Sequence, residues 1–141
     1  MFELDSRLAN DSFYVGKTQL CQLLLANDSR FPWMILVPER HKVKEVFDLS
    51  KDDQAVVWRE SMALAVFMKD YFSADKMNIA TLGNQVAQLH LHHIARYRID
   101  QAWPRPVWGS GEPLPYDETE VGELLDALRA SLSSQWYFRH V

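Results

Sequence analysis

The chain of 141 residues lacks most of the features that mark secreted and membrane proteins. Its single cysteine, Cys21, cannot form an intramolecular disulfide, and its expected role is that of a small buried apolar residue. The first residues have no basic and apolar segments of a secretory signal. No apolar run approaches the length of about 20 residues that crosses a bilayer. These absences predict a cytoplasmic protein with no membrane partner.

Positive charge is also scarce. The 15 Lys and Arg residues are outnumbered by 19 Asp and Glu residues, which gives a formal net charge of −4 at pH 7. A protein that binds long nucleic acids needs a positive surface to face the phosphates, so we expect no long nucleic acid as a partner. A small anionic ligand remains compatible with this charge, because a few local donors are enough to bind it.

The secondary structure signals are those of a mixed fold. Short apolar stretches between turn residues predict strands, and Ser50 before two acidic residues predicts the start of a long helix. The predicted strands cover residues 13–18, 20–26, 33–37, 77–82 and 86–97, and the predicted helices cover residues 51–71 and 117–134.

Residues 100–116 hold four of the six prolines and two of the five glycines, which predicts a loop. The strands are grouped around one long helix and do not alternate with helices. We therefore predict an α+β fold in a single domain of residues 1–141, with an antiparallel sheet of about five strands, one long helix and a C-terminal helix.

Three of the five histidines lie in the stretch QLHLHH, residues 88–93. Side chains on a strand alternate between its two faces. On a continuous strand, Gln88, His90 and His92 would therefore form a polar row on one face, and His93 would point with the leucines to the other. The row is the strongest candidate for a functional site, and His93 is expected to be a bystander.

Three interpretations of this row compete. A His-x-His pair can bind zinc or iron, but the remaining ligands offered by the chain, His41, His140 and Cys21, form no second pair at useful spacing. A purely structural pair of histidines is the second interpretation. The third is nucleophilic catalysis, in which one neutral imidazole attacks phosphorus and a neighbouring donor stabilises the charge on the phosphoryl oxygens.

The stretch GNQVAQLHLHHIARYR resembles the signature of the histidine triad (HIT) family, His-φ-His-φ-His-φ-φ with φ apolar. Upstream, LLLANDSRFPWMILVPERHKVKEVFDLSKDD resembles the strand, Asn turn, strand and capped helix of that family. The resemblance covers about residues 8–98. The tail AWPRPVWG is similar to bacterial HIT hydrolases of the diadenosine tetraphosphate hydrolase-like type.

The resemblance implies a role for individual residues. It makes His90 the central histidine, which is the nucleophile of the family and forms a nucleotidyl-histidine intermediate at the α-phosphate. It makes His92 the third histidine, a donor to phosphate oxygens or to the leaving group. It places Asn84 and Gln85 as polar donors that face the phosphates, and it places Asn27 against the ribose or the histidine row. An ordinary turn residue is the equal alternative for Asn27.

The sequence also departs from the family pattern. Gln88 stands at the first histidine position, where an amide can orient a neighbour but cannot titrate near neutral pH. Trp33 stands near a position where many relatives have a histidine, so one supporting contact is missing or replaced. Arg96 follows the histidines and is expected to share their face and offset phosphate charge. Trp103 and Trp108 either cover the pocket or pack the C-terminal loop.

The resemblance thus implies a nucleotide hydrolase or transferase that acts on a dinucleoside polyphosphate or a nucleoside phosphoramidate. No cofactor is required by this chemistry, and magnesium would arrive with a polyphosphate substrate. The resemblance also implies a homodimer whose sheets continue across the interface. A nucleotide-binding or regulatory protein with little or no turnover is the alternative, because Gln88 and Trp33 depart from the family pattern.

Overall fold

The computed structural model describes residues 1–138 and 140–141 of the chain. Within these residues, five strands form one antiparallel sheet in the order β1-β2-β3-β5-β4. The strands are Ser12–Lys17 (β1), Cys21–Ala26 (β2), Trp33–Pro38 (β3), Lys76–Ala80 (β4) and Leu91–Arg96 (β5). The predicted α+β class with an antiparallel sheet is confirmed.

Three α-helices accompany the sheet in the described part of the chain: Ser6–Asn10 (α1), Lys51–Tyr71 (α2) and Glu118–Leu132 (α3). Short 3-10 helices cover Val46–Asp48 and Trp136–Phe138. The hydroxyl of Ser50 accepts a hydrogen bond from the backbone N–H of Asp53 at 3.1 Å and thereby caps α2, as the sequence predicts. None of these helices is long and apolar enough to cross a membrane.

Both faces of the sheet are apolar. Alternate residues of β2 and β3 point to opposite sides, so that Leu23 and Leu36 belong to the main core, on the side of α2 and α3. Leu24 and Ile35 point to the other side, where Leu8 of α1 packs against them. Burial of each such side chain contributes about 1.5–3 kcal/mol to folding. The candidate site described below opens beside this second, smaller cluster of Leu8, Leu24 and Ile35.

The strand predicted around the histidines is wrong in extent. The strand predicted for residues 86–97 begins only at Leu91, because β3 pairs with β5 from Leu91 to Ile94 and β4 ends at Ala80, opposite His92. Residues 86–90 therefore lie outside the ladder. Helix α1 lies before the first predicted strand, in residues for which no element is predicted, and the side chain of Asp5 caps it by accepting from the N–H of Arg7 at 2.8 Å.

His93 lies on the opposite face of β5 from His92, as the predicted alternation requires. It is fully buried against α2, where its Nε2 is 2.7 Å from the hydroxyl of Ser61. Burial in this apolar environment lowers the pKa of His93 to about 4, because a charged imidazole would lose its hydration there. His93 is thus a neutral core residue that joins the sheet to the long helix.

This burial predicts a dependence of stability on pH. The unfolded state takes up a proton on His93 near pH 6.5 and the folded state only near pH 4, so the free energy of unfolding falls as the pH is lowered through that window. For His93 the loss is about 3 kcal/mol. Urea unfolding of the wild type and of His93→Gln between pH 7 and pH 4 should show a shallower decline in the variant. Parallel curves would contradict the assignment.

Candidate active site

A cleft of about 700 Å³ opens on the face of the sheet that carries Ile35 and His92. One wall comes from α1, and the floor comes from the ends of β2 and β3. The turn of residues 82–86 and the Pro-rich segment of residues 108–115 form the remaining walls. His90 lies where the turn meets β5, so the predicted histidines are brought to the centre of a concave site.

The hydrogen bonding of His90 defines its protonation. Its Nδ1 is 2.7 Å from the main-chain carbonyl oxygen of Gln88. A carbonyl can only accept, so Nδ1 carries the ring proton and Nε2 carries a lone pair. No other described residue makes a hydrogen bond to Nε2. Burial lowers the pKa of His90 although the Gln88 carbonyl opposes this effect, so the ring is neutral and its free nitrogen is nucleophilic.

The hydrogen bonds of His92 define the opposite tautomer. The indole N–H of Trp33 donates to Nδ1 at 3.0 Å, and Nε2 is 3.0 Å from the carbonyl oxygen of Leu82. An indole N–H can only donate and a carbonyl can only accept, so the proton of His92 is on Nε2. Burial, together with the charge that His90 would carry if protonated, lowers the pKa of His92 to about 4. The predicted supporting contact at Trp33 is replaced rather than missing.

Aromatic rings surround His92. Its ring centroid is 4.7 Å from that of His90, 5.6 Å from that of Trp33 and 5.0 Å from that of Trp108, each in an edge-to-face arrangement. The two tryptophans are also in edge contact with each other at 5.6 Å. This packing gives the imidazole a fixed orientation.

The turn that precedes the histidines approaches His90 closely. A Cβ atom at Gly83 would lie 2.7 Å from the carbonyl oxygen of Val86 and 3.4 Å from Cε1 of His90, so a larger residue would displace the turn. Asn84 and Gln85 follow, and both line the cleft with exposed side chains that bond no other described residue. The predicted polar donors are therefore free to meet a ligand.

Comparisons with known proteins agree with this geometry. The model of the HIT domain matches residues 7–99. The chain belongs to the HIT family. The family assignment made from the histidine signature is thereby confirmed.

Solved HIT proteins also share the whole fold. A histidine triad protein from Marinobacter aquaeolei VT8 is 46% identical with a TM-score of 0.92 and covers 95% of this chain and 98% of its own. A histidine triad protein from Sinorhizobium meliloti 1021 is 45% identical with a TM-score of 0.90, at 94% and 98% coverage. One from Bradyrhizobium japonicum is 43% identical with a TM-score of 0.88, at 92% and 96% coverage. The comparison with curated proteins found no match.

The prediction that the side chain of Gln88 joins those of His90 and His92 in one polar row is wrong. The amide of Gln88 donates to the main-chain carbonyl of Glu3 at 2.8 Å and accepts from the main-chain N–H of Asp5 at 2.9 Å. Because β5 begins at Leu91, strand alternation does not extend back to residue 88. The side chain of Gln88 therefore holds the N-terminal segment, and only its main-chain carbonyl contacts His90.

The prediction that Arg96 faces a phosphate is also wrong. It lies at the end of β5, only 1% exposed, and donates to both carboxylate oxygens of Asp100 at 2.8 and 3.0 Å and to the side chain of Asn78 at 2.8 Å. Burial alone would raise the pKa of Asp100, but the hydrogen bonds from Arg96 and nearby N–H groups lower it to about 2. Arg96 shares the face of His92 but organises the chain after β5, outside the cleft.

Asn27 lines the cleft and also anchors the Pro-rich segment. Its Oδ1 accepts from the N–H of Tyr116 at 2.9 Å, and the carboxylate of Asp28 accepts from the N–H of Leu114 at 3.3 Å. Arg30 donates to the carbonyl of Ser110 at 2.6 Å. Asn27 is thus a turn residue that holds one wall of the site, and its contact with a ribose stays a prediction.

The two tryptophans of the loop of residues 100–116 have different roles. Trp108 lines the cleft beside Trp33 and His92. The guanidinium of Arg96 instead lies over the ring of Trp103, at 5.7 Å from the ring centroid. Trp108 therefore covers the pocket, and Trp103 packs the loop.

The N-terminal segment supplies site residues that the sequence analysis did not identify. Arg7, Leu8 and Asp11 line the cleft, and Arg7 donates to the carbonyl of Gln85 at 2.8 Å, which ties α1 to the polar turn. The only local sequence signal for α1 is Asp5, a residue type that favours the N-cap position of a helix. Across residues 1–138 and 140–141, no group of three or more His, Cys, Asp or Glu side chains could hold a metal ion.

The amide of Gln88 predicts a measurable effect at the N-terminus. Gln88→Leu removes two hydrogen bonds, so we expect the free energy of unfolding to fall by about 1–2 kcal/mol and the Asp5 amide to exchange faster with solvent. Gln88→Glu is the matched control, because it keeps an acceptor for the Asp5 N–H. Hydrogen exchange followed by mass spectrometry measures the effect. Unchanged exchange in Gln88→Leu would contradict the anchoring role.

Proposed function

We propose that this HIT protein catalyses hydrolysis or nucleotidyl transfer at the α-phosphate of a dinucleoside polyphosphate or a nucleoside phosphoramidate, through a nucleotidyl-histidine intermediate on His90. The observation that carries the proposal is the hydrogen bond from Nδ1 of His90 to the Gln88 carbonyl. It fixes the tautomer whose Nε2 lone pair is left for the cleft. A neutral imidazole in this form attacks phosphorus without first losing a proton, and the carbonyl stabilises the positive charge that develops on the ring.

The lining of the cleft supports a nucleotide as the ligand. Leu8, Ile35 and Val86 offer an apolar surface for a flat base. Asn84 and Gln85 offer amide donors at the turn that precedes His90. Donors of this kind bind phosphoryl oxygens and stabilise the charge that develops on them.

No resident cofactor is part of the proposal. The nucleophile is a protein side chain, so the chemical step needs no metal-bound water. Magnesium would enter bound to the phosphates of a polyphosphate substrate. A cytoplasmic location is also proposed, because the chain has a single cysteine, Cys21, and a protein without an intramolecular disulfide fits a reducing compartment.

The alternative is a nucleotide-binding HIT protein with little or no turnover. Two observations favour it: both nitrogens of His92 are engaged by protein groups, and the side chain of Gln88 points away from the cleft. The alternative predicts tight binding of a nucleotide without release of product.

The nucleophile is tested with an α-labelled dinucleoside polyphosphate and a nucleoside phosphoramidate. We expect His90→Ala to lower kcat by at least about 10³-fold, because no group replaces the attacking nitrogen. His41→Ala, a substitution of an exposed histidine outside the cleft, is the control. Alkaline quenching should trap label on the wild type and none on His90→Ala.

Three outcomes of this assay are decisive. Turnover that persists in His90→Ala contradicts the nucleophile. Tight binding without turnover in the wild type supports the nucleotide-binding alternative. Loss of activity towards the phosphoramidate on adding a chelator contradicts metal-independent chemistry.

We also propose a homodimer. Strand β4 is an edge of the sheet, paired only with β5 among the described strands. On α2, which contacts β4, the large apolar residues Trp58, Met62 and Val66 recur at four-residue spacing and are 44%, 48% and 71% exposed. A second copy of the chain would cover this stripe and pair with the free edge, as in other extended sheets.

The dimer is tested by light scattering coupled to size exclusion. We expect the wild type at about twice the 16.4 kDa of one chain, and Val66→Glu at the mass of one chain, because a charge would then face the apolar partner surface. Asp126→Lys, at an exposed position of α3 rather than on the stripe of α2, is the control for a charge change on a helix. A wild type that elutes as a monomer at high concentration would contradict the proposal.

A further inference from the structure

Protonation of His92 is opposed by its hydrogen bonds. A proton on Nδ1 would place an N–H group against the indole N–H of Trp33, which lies 3.0 Å away. Two donors that face each other lose a hydrogen bond and repel. The proton on Nε2 is directed at the Leu82 carbonyl. His92 is therefore held in a single neutral tautomer by two groups that cannot change their polarity.

The surroundings of His92 strengthen this restriction. The residue is only 6% exposed, and two indole rings pack on its edges. Its nearest titratable neighbour is His90, which becomes positively charged once it is attached to phosphorus and would then repel a second positive ring. The charged side chains elsewhere in the cleft lining are Arg7, Asp11 and Asp28.

None of those charged groups replaces His92 as an acid. Histidine is the only side chain whose ordinary charge change lies between pH 5 and 8. Arg7 is a permanent cation engaged with Asp5. Burial raises the pKa of Asp28, but the hydrogen bonds from Arg30 and from the Leu114 N–H outweigh it and lower that pKa overall.

We propose that Trp33 is a positioning residue that keeps His92 uncharged, so that the site cannot protonate a leaving group and selects nucleotide acid anhydrides over phosphoramidates of alkylamines. This inference rests on the proposed function and narrows its substrate class. An alkylamine leaves phosphorus only after its nitrogen is protonated, whereas a phosphate leaves as a stable anion.

The steps balance without an acid. The Nε2 lone pair of His90 forms a bond to the α-phosphorus, and the bond from phosphorus to the bridging oxygen breaks, its electron pair leaving with the phosphate. The ring keeps its proton on Nδ1, which donates it in a hydrogen bond to the Gln88 carbonyl, and the ring carries the positive charge. Water then attacks phosphorus, the P–N bond breaks with its pair returning to Nε2, and the proton of the water passes to solvent.

The substrate experiment compares two compounds that carry the same nucleoside, and it is carried out once with adenosine and once with guanosine. One is the dinucleoside tetraphosphate with magnesium, and the other is the 5′-phosphoramidate of a simple alkylamine. Positioned general acids contribute about 10²–10⁴-fold, so we expect kcat for the phosphoramidate to be at least about 10²-fold lower. Comparable rates would overturn this inference and leave the proposed function standing. Turnover of neither compound would overturn both.

The role of Trp33 is tested with Trp33→Phe, which keeps an aromatic ring and removes the donor. We expect the pKa of His92 to rise and the disadvantage of the phosphoramidate at pH 6 to shrink by about tenfold. Nitrogen-15 NMR of the histidine ring, followed from pH 8 to pH 4, reports both the tautomer and the pKa of His92 without any turnover. The Leu82 carbonyl should keep the proton on Nε2 in Trp33→Phe while the pKa rises. Trp108→Phe, which alters the other edge contact of His92 but keeps the Trp33 donor, should leave that pKa unchanged.

Two results of the variant experiment would overturn the inference. One is a wild-type spectrum in which Nδ1 of His92 carries the proton. The other is a Trp33→Phe variant in which either the pKa of His92 or the rate ratio matches that of the wild type. An unprotonated Nδ1 in the wild type, together with a raised pKa of His92 and a smaller rate ratio in Trp33→Phe, supports it.

Discussion

The hydrogen bond from Nδ1 of His90 to the main-chain carbonyl of Gln88 is the constraint on which the site depends. It requires that the chain leave the sheet before Leu91, since a residue inside the ladder would have its carbonyl committed to a neighbouring strand. The side chain of Gln88 then fixes that carbonyl from the other side by binding Glu3 and Asp5. One residue thus orients the candidate nucleophile with its backbone and anchors the N-terminal segment with its amide.

The two histidines of the cleft are neutral in complementary ways. His90 carries its proton on Nδ1 and His92 carries its proton on Nε2, and in each case a group of fixed polarity imposes the choice. Their rings are in edge contact at 4.7 Å, a distance at which two imidazolium ions would repel strongly. A neutral pair allows positive charge to appear on one ring only, during reaction at phosphorus.

The sequence was sufficient for features that depend on local chemistry. Ser50 with two following acids located the start of α2, and strand alternation separated His92 from His93, which binds Ser61 in the core. It failed where the decisive contact comes from far along the chain. The partners of Gln88 lie more than 80 residues away. The error at Arg96 has a different cause: its partner Asp100 is only four residues away, but it lies in a loop that strand periodicity cannot place.

The wall built by the Pro-rich segment has a consequence for how the site varies among related chains. The hydrogen bonds that hold this segment end on main-chain atoms: the N–H groups of Leu114 and Tyr116 and the carbonyl of Ser110. Main-chain atoms are the same for nearly every amino acid, so side chains there can change while the wall keeps its position. Apart from Gly109 and Gly111, whose positive φ angles of 82° and 85° favour glycine, residues 109–115 can therefore change their side chains while this wall of the cleft keeps its position.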